Sequence, residues 1–384
     1  MSYFLFYLAV VTLLVYFTFG LDVVIGNRQT KKLKDIEPSS LNTWPKVSVI
    51  VAARNEERNI EEALQSLLHQ DYPELEIIVV NDRSTDRTGE ILNRMSARDK
   101  RLRPVHLTEL PTGWLGKNHA LYFAAGQATG EYLLFADADI VMHPATITKA
   151  MSYALTEKLD HLTLSPEVRM PGVFLPAFAG VFAFFFYIFA RPAKAKDPKS
   201  RRFIGIGAFN LISSDAYRAA GTHEAIRMRP DDDMKLGKII KQSGHRQEML
   251  QGTQMIQVEW YASIGELIRG TEKNFFSGLE YSILAAIGAS IVQIAFFVWP
   301  FAAIFLTSGT TRLLNLAAVL MAILFYAINA PAVGARREHG VLFPVAVLMF
   351  VFLLWNSMLR TLINGGINWR DTHYSLAELR ANKV

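Results

Sequence analysis

Four runs of this chain are each long enough to cross a bilayer and carry no Asp, Glu, Lys or Arg: residues 3–21, 281–311, 313–335 and 339–359. A hydrocarbon core of about 30 Å takes roughly 20 helical residues. Backbone polar groups find no water there, so such runs are expected as helices. Hydrophobic residues make up 51% of the chain, and they are segregated into these runs. No small-residue cleavage site follows the first run, which reads as an anchor. Arg28, Lys31, Lys32 and Lys34 come next and predict a cytoplasmic flank. Arg336 and Arg337 separate the last two runs and predict another. The expected order is an N-terminal span (1–24), a basic linker (25–45), a cytoplasmic α/β domain (46–280), three spans (281–363) and a tail (364–384) on the far side. This predicts an integral membrane protein, of the inner or plasma membrane in a bacterium.

A fifth uncharged run, 170–190, starts with Pro171 and Pro176 and is followed by Arg191, Lys194, Lys196, Lys199, Arg201 and Arg202. An apolar helix beside a cationic stretch suits the membrane interface, held by anionic head groups. Interfacial placement is expected, because a crossing there would divide one α/β domain between two sides. The chain has no cysteine, which excludes disulfides, thiolate nucleophiles and zinc–sulfur sites. Its net charge of +5 sits beside apolar runs, without the interleaved aromatics of a nucleic-acid surface.

The polar part alternates strands and helices. Val47–Ala53 is an apolar, β-branched run of strand length, and Leu75–Val80 is a second. Between them Ile60, Ala63, Leu64, Leu67 and Leu68 recur at helical spacing. Leu133–Phe135 is a further strand. Such alternation implies a mostly parallel sheet with helices on both faces, and ligands at the carboxyl ends of the strands. Three polar turns fall there: Arg54-Asn55-Glu56-Glu57, Asn81 to Asp86, and Asp137-Ala138-Asp139.

Closely spaced carboxylates after a strand hold Mg²⁺ or Mn²⁺ against phosphate oxygens, the chemistry a nucleotide diphosphate requires. Taken alone, Asp-x-Asp is equally a solvated turn. Asp82 is placed to accept from a base or ribose, or to cap a helix. Asp231-Asp232-Asp233 repel one another and need a cation, solvent or a proton; an acidic helix start is the alternative. His223 and His245 are further candidate bases, and structural roles fit them as well.

The order strand–Ala-Arg-Asn-Glu, Val-Val-Asn-Asp-x-Ser-Thr-Asp-x-Thr, Gly116-Lys117-Asn118-His119-Ala120-Leu121, then Asp137-Ala138-Asp139, resembles the family 2 glycosyltransferases from about residue 46 to 280. The resemblance implies a GT-A (Rossmann-like) α/β fold, a nucleotide-sugar donor such as a UDP-sugar, and inversion at the anomeric carbon. It implies that Arg54 and Glu56 line the nucleotide site, that Asp82 contacts the base and that Lys117 lies near it. Asp139 would be the main metal ligand, with Asp137 beside it. Asp233 matches the family's general base, with Asp232 as its neighbour. Gly205-Ile206-Gly207-Ala208-Phe209-Asn210 resembles the acceptor-side segment of membrane-bound members. Arg269 and Lys273, four apart, are expected to neutralise the leaving diphosphate, or else to form a cationic collar at the membrane. The Gln/Arg-x-x-Arg-Trp string of processive polysaccharide synthases is missing. The ending Trp369-Arg370…Tyr374 is similar to that of lipid-acceptor members, including ceramide glucosyltransferases and hopanoid- or carotenoid-linked enzymes. The expected activity is transfer of a sugar to a lipid hydroxyl. A processive synthase, or a non-catalytic nucleotide-sugar-binding membrane protein, is the alternative.

Overall fold

A computed structural model describes residues 2–38, 43–370 and 372–384. They divide into an α/β unit (Thr30–Glu167, Pro192–Glu259, Asn368–Val384) and a helical unit (Met1–Gln29, Val168–Arg191, Trp260–Ile367). The units are interleaved in sequence.

The main sheet of the α/β unit has seven strands: β1 (Val47–Ala53), β2 (Leu75–Asp82), β3 (Leu102–Leu107), β4 (Tyr132–Asp137), β5 (His161–Ser165), β6 (Asn210–Ser213) and β7 (Gln247–Gln251). Their spatial order is β3-β2-β1-β4-β6-β5-β7. The first four are parallel, β6 runs antiparallel to both β4 and β5, and β7 is parallel to β5. β1 is buried along nearly its whole length, which is why its sequence is apolar apart from Ser48. Its cover includes Ala120, Leu121 and Ala124 of helix α1 (Gly116–Ala125), and Leu236, Ile239 and Ile240 of helix α2 (Asp232–Gln242) join the same apolar cluster. In register, Ala53 pairs with Asn81 and Ala52 with Asp137. The ends of β1, β2 and β4 therefore stand level, and the three polar turns lie side by side.

The basic linker is pinned to this unit. Lys32 bridges to Gln251, and Lys149 Nζ donates to the Lys34 carbonyl at 2.8 Å. The C-terminal tail belongs to it as well. Met228 N–H donates to Asn382 Oδ1 at 2.9 Å, and Leu379 is fully buried.

The helical unit holds five helices long and apolar enough to cross a membrane: Tyr3–Gln29, Phe174–Lys194, Ile283–Leu306, Gly309–Val333 and Arg337–Ile363. Large apolar side chains such as Leu284 (82% exposed) and Phe305 (83%) point outward, as lipid-facing positions do. Two of the helices contain a wider π turn, at Tyr16–Gly20 and at Ile294–Val298.

β6 follows the Phe174–Ala190 helix in sequence yet lies between β4 and β5, which precede it. Asn368–Val384 of the tail belongs to the α/β unit.

Glycine fixes one close approach in the α/β unit. A Cβ on Gly237, inside α2, would lie 1.9 Å from the Ile204 carbonyl oxygen, and one on Gly205 would lie 1.9 Å from that of Asp233. The segment before Gly207 is thus pressed onto the start of α2. Gly to Ala inside a helix ordinarily stabilises by about 1 kcal/mol. Gly237→Ala is predicted to do the opposite, destabilising by about 1–3 kcal/mol through overpacking. Gly288→Ala, where nothing lies within 4 Å of the new methyl, should be neutral or stabilising. Thermal unfolding of both variants checks the pair.

Candidate active site

The turns after β1 and β2 are laced together. Asn55 N–H donates to Ser84 Oγ (3.0 Å), Glu56 N–H to Thr88 Oγ1 (2.9 Å), and Thr85 N–H to Asn55 Oδ1 (2.8 Å). Asp86 accepts from Thr88 N–H at 2.9 Å, at the start of the following helix. Asn55 and Arg83 take left-handed backbone conformations, each with φ 55°. Asp82 is 3% exposed. Its carboxylate accepts from Arg83 Nε (2.7 Å) and Nη2 (3.1 Å), with Arg54 Nη1 3.9 Å away. A Cβ on Gly116 would reach within 2.5 Å of Asp82 Oδ2, so the start of α1 is pressed onto this corner.

Lys117, the next residue, points to the acids and not to that corner. Its Nζ lies 2.8 Å from Asp137 Oδ1 and 3.3 Å from Asp232 Oδ2. Burial alone would lower its pKa, but the charges of Asp137, Asp232 and Asp233 hold it above the ordinary lysine value. One ammonium thus joins the turn after β4 to the start of α2. Asn118 holds the loop before α2. Its Nδ2 donates to the carbonyls of Ile226 (2.9 Å) and Arg229 (3.0 Å). Buried Arg229 holds Asp231 through Nε (2.9 Å) and Nη2 (3.1 Å).

Asp233 faces the backbone of the Gly205–Gly207 segment. Gly207 N–H donates to its Oδ2 at 2.8 Å and Met234 N–H to its Oδ1 at 2.7 Å. Burial pushes its pKa up to about 7, and the Asp232 charge adds to this; Lys117 and the two N–H bonds oppose it. The segment itself is set by His161, whose Nε2 lies 3.0 Å from Asn210 Oδ1, and that same oxygen accepts from Ile206 N–H at 3.2 Å. An amide oxygen only accepts, so His161 carries its proton on Nε2. Lys117, Asp137, Gly207, Asn210, Asp232 and Asp233 line one small cavity.

Asp139 is pushed up to about 7 by burial, then by the charges of Asp137 and Glu56. A carboxyl in that setting suits a cation. Among the described residues no three Asp, Glu or His side chains converge to hold an ion unaided, and Asp137 already has Lys117 as partner. The donor set is two carboxylates, which fits Mg²⁺ or Mn²⁺ bound jointly with phosphate oxygens.

The structure therefore brings Asp137, Lys117, Asp232 and Asp233 to one cavity, and Arg54 and Asp82 to a corner beside the start of α1. Glu56 and Asp139 are close enough for their charges to interact. Lys117 touches the acids Asp137 and Asp232. Arg269, on the helix Ile264–Thr271, and Lys273 belong to the helical unit. His223 is buried against Tyr217 Oη at 2.8 Å, and burial lowers its pKa to about 3. It is neutral at physiological pH, and it lines the same cavity as Lys117 and Asp233. His245 lies 3.5 Å from Asp160, away from the group. Sequence reasoning missed Arg83, Asn118, Arg229 and Arg370. Arg370 donates to the Arg54 carbonyl and to Glu56 Oε1. Its only signal was the Trp-Arg…Tyr ending.

Residues 48–220 match the family model described as Glycosyl transferase family 2. A protein of Haemophilus influenzae named an uncharacterized glycosyltransferase is 40% identical over 123 residues, 32% of this chain and 36% of that one. This chain thus spans about a third of that relative's length. The 4,4'-diaponeurosporenoate glycosyltransferase of Staphylococcus aureus is 22% identical across 96% of this chain and 98% of its own. Among solved structures, a mannosyltransferase of Pyrobaculum calidifontis in complex with GDP-mannose and Mn²⁺ superposes with a TM-score of 0.56 at 20% identity, covering 94% of this chain and 99% of that one. It shares the fold.

Removing the Lys117 ammonium strands Asp137 and Asp232. Asp137 is 39% exposed, so water recovers part of the loss. Lys117→Met is predicted to destabilise by about 1–3 kcal/mol at pH 8. The deficit should shrink at pH 5, because carboxylates deprived of their cation protonate at higher pH and the uncompensated charge disappears. Melting temperatures at the two pH values test this.

Proposed function

With a glycosyltransferase family 2 domain at residues 48–220, we propose that this chain transfers one sugar from a nucleotide-sugar donor, a UDP-sugar in the first instance, to a hydroxyl of a membrane lipid, with inversion. The observation that carries the reading is the divided acidic site: Asp139 with Asp137 on the turn after β4, Asp233 on the start of α2, and Lys117 between them. The donor's diphosphate belongs beside Asp139, and Arg54, Asp82 and Arg83 form the corner for the nucleoside. Mg²⁺ or Mn²⁺, held by Asp139 and Asp137 with the diphosphate, would supply charge neutralisation as that group departs.

The remaining work falls to side chains. Asp233 accepts the acceptor hydroxyl's proton as its oxygen attacks the anomeric carbon and the bond to the diphosphate breaks. The Gly207 and Met234 N–H groups aim the carboxylate. A raised pKa makes Asp233 a stronger base than an ordinary aspartate. Lys117 opposes the rise that burial and the Asp232 charge impose on it. Asp232, tied to Lys117, is the positioning neighbour.

The apolar helices support a lipid-type acceptor presented at the bilayer, with the α/β unit on the cytoplasmic side. The similarity along nearly the whole length of a diaponeurosporenoate glycosyltransferase supports an apolar acceptor over a growing polysaccharide. The filled carboxylate set argues against a non-catalytic binder.

The test is nucleotide release from UDP- and GDP-sugars by purified protein supplied with a total lipid extract. Release should require lipid and divalent cation, stop with EDTA, and yield a glycolipid. Asp233→Asn should lower kcat by about 10²–10⁴-fold, with donor KM little changed. The wild-type rate should fall as pH drops below about 7, since only the ionised Asp233 accepts a proton. Long polymer as product would favour a synthase. An Asp233→Asn variant as fast as wild type would remove Asp233 from the mechanism.

A further inference from the structure

The two cations expected at the diphosphate, Arg269 and Lys273, are not in the α/β unit, but the tail brings one that is. Residues 368–384 run over this unit as a strap with anchors at both ends. Gly116 N–H donates to Tyr374 Oη at 3.3 Å, and Tyr374 is 6% exposed. A capping box formed by Ser375 and Glu378 starts the short helix Leu376–Ala381. Asn382 then exchanges hydrogen bonds with the loop before α2, accepting from Met228 N–H (2.9 Å) and donating to the Ala225 carbonyl (3.0 Å). Between strands Gly366–Trp369 and Thr372–Ser375, Arg370 takes a left-handed φ of 50°. Its side chain reaches the Arg54 carbonyl and the Glu56 carboxylate. Glu56 lies on the turn after β1, whose Ala52 pairs with Asp137 at the end of β4. The Arg370 guanidinium therefore stands on the turn next to the one that carries the proposed metal carboxylates.

We infer that the C-terminal strap is a working part of the donor site and that Arg370 recognises the donor's diphosphate. The inference rests on the donor reading above. A guanidinium carries five N–H donors in a planar fork that matches phosphate oxygens two at a time. Its contacts with Arg54 and Glu56 use two, and the side chain is 43% exposed. Glu56 and the Arg54 carbonyl hold the fork at the lip of the pocket, and the Tyr374 and Asn382 anchors fix the segment that carries it. A nucleoside monophosphate offers no second phosphate, so Arg370 discriminates between diphosphate and monophosphate.

The experiment is calorimetric binding of UDP, GDP, UMP and GMP, with Mn²⁺, to the full-length detergent-solubilised protein and its Arg370→Ala and Arg370→Lys variants. The exposed side chain allows both variants to fold, which unchanged melting temperatures verify. Expected is a loss of about tenfold or more in affinity for the preferred diphosphate in Arg370→Ala, unchanged monophosphate affinity, and partial recovery in Arg370→Lys. Unchanged diphosphate binding, an equal loss for mono- and diphosphate, or tighter binding, as a displaced plug would give, each overturns the inference while leaving the donor reading intact. Wild-type protein that binds none of the four nucleotides overturns both.

Discussion

The site depends on one ammonium held between two acidic groups. Lys117 touches Asp137 at the end of β4 and Asp232 at the start of α2. These elements lie far apart in sequence and carry carboxylates that repel. At an effective dielectric of about 20, unit charges 4 Å apart interact by roughly 4 kcal/mol. Without a cation here, the two acidic turns would be driven apart or protonated. With it, the turn after β4 can approach α2 closely enough to share one cavity. The glycines complete the approach from the backbone side. Gly205 and Gly237 admit contacts that a methyl would block, and Gly207 delivers the N–H that aims Asp233.

The Gly116-Lys117-Asn118 tripeptide acts in three directions. Gly116 lets α1 start against Asp82, Lys117 joins the acids, and Asn118 clamps the loop that leads to Asp231. The side of the cavity proposed for the donor and the side proposed for the base are therefore indexed to one helix start. A small displacement there would disturb both together.

Much of this unit was legible in sequence because its signals are local. β1, β2 and β4 announce themselves as apolar runs ending in polar turns, and Glu56, Asp82, Asp137 and Asp139 occupy those turns, while Asp232 and Asp233 stand at a helix start that the acidic run marks. β5, β6 and β7 were not read. Each is short and carries polar residues such as His161, Asn210 and Gln247, which become buried partners only once the sheet forms. The antiparallel insertion of β6 between β4 and β5 is a long-range choice that periodicity does not encode. The partners of Lys117 were likewise invisible, since Asp137 and Asp232 meet it only through the fold. Arg269 and Lys273 looked apt from spacing alone, while Arg370 reaches Glu56 across 314 residues.

The most direct test of the divided site is a structure of the Asp233→Asn protein with an intact nucleotide-sugar and Mn²⁺. The account predicts the cation on Asp139 and the diphosphate oxygens, the nucleoside beside Asp82, and the sugar's anomeric carbon turned toward residue 233 across the Lys117 cavity. A cation seated between Asp232 and residue 233, or a sugar directed away from α2, would contradict it.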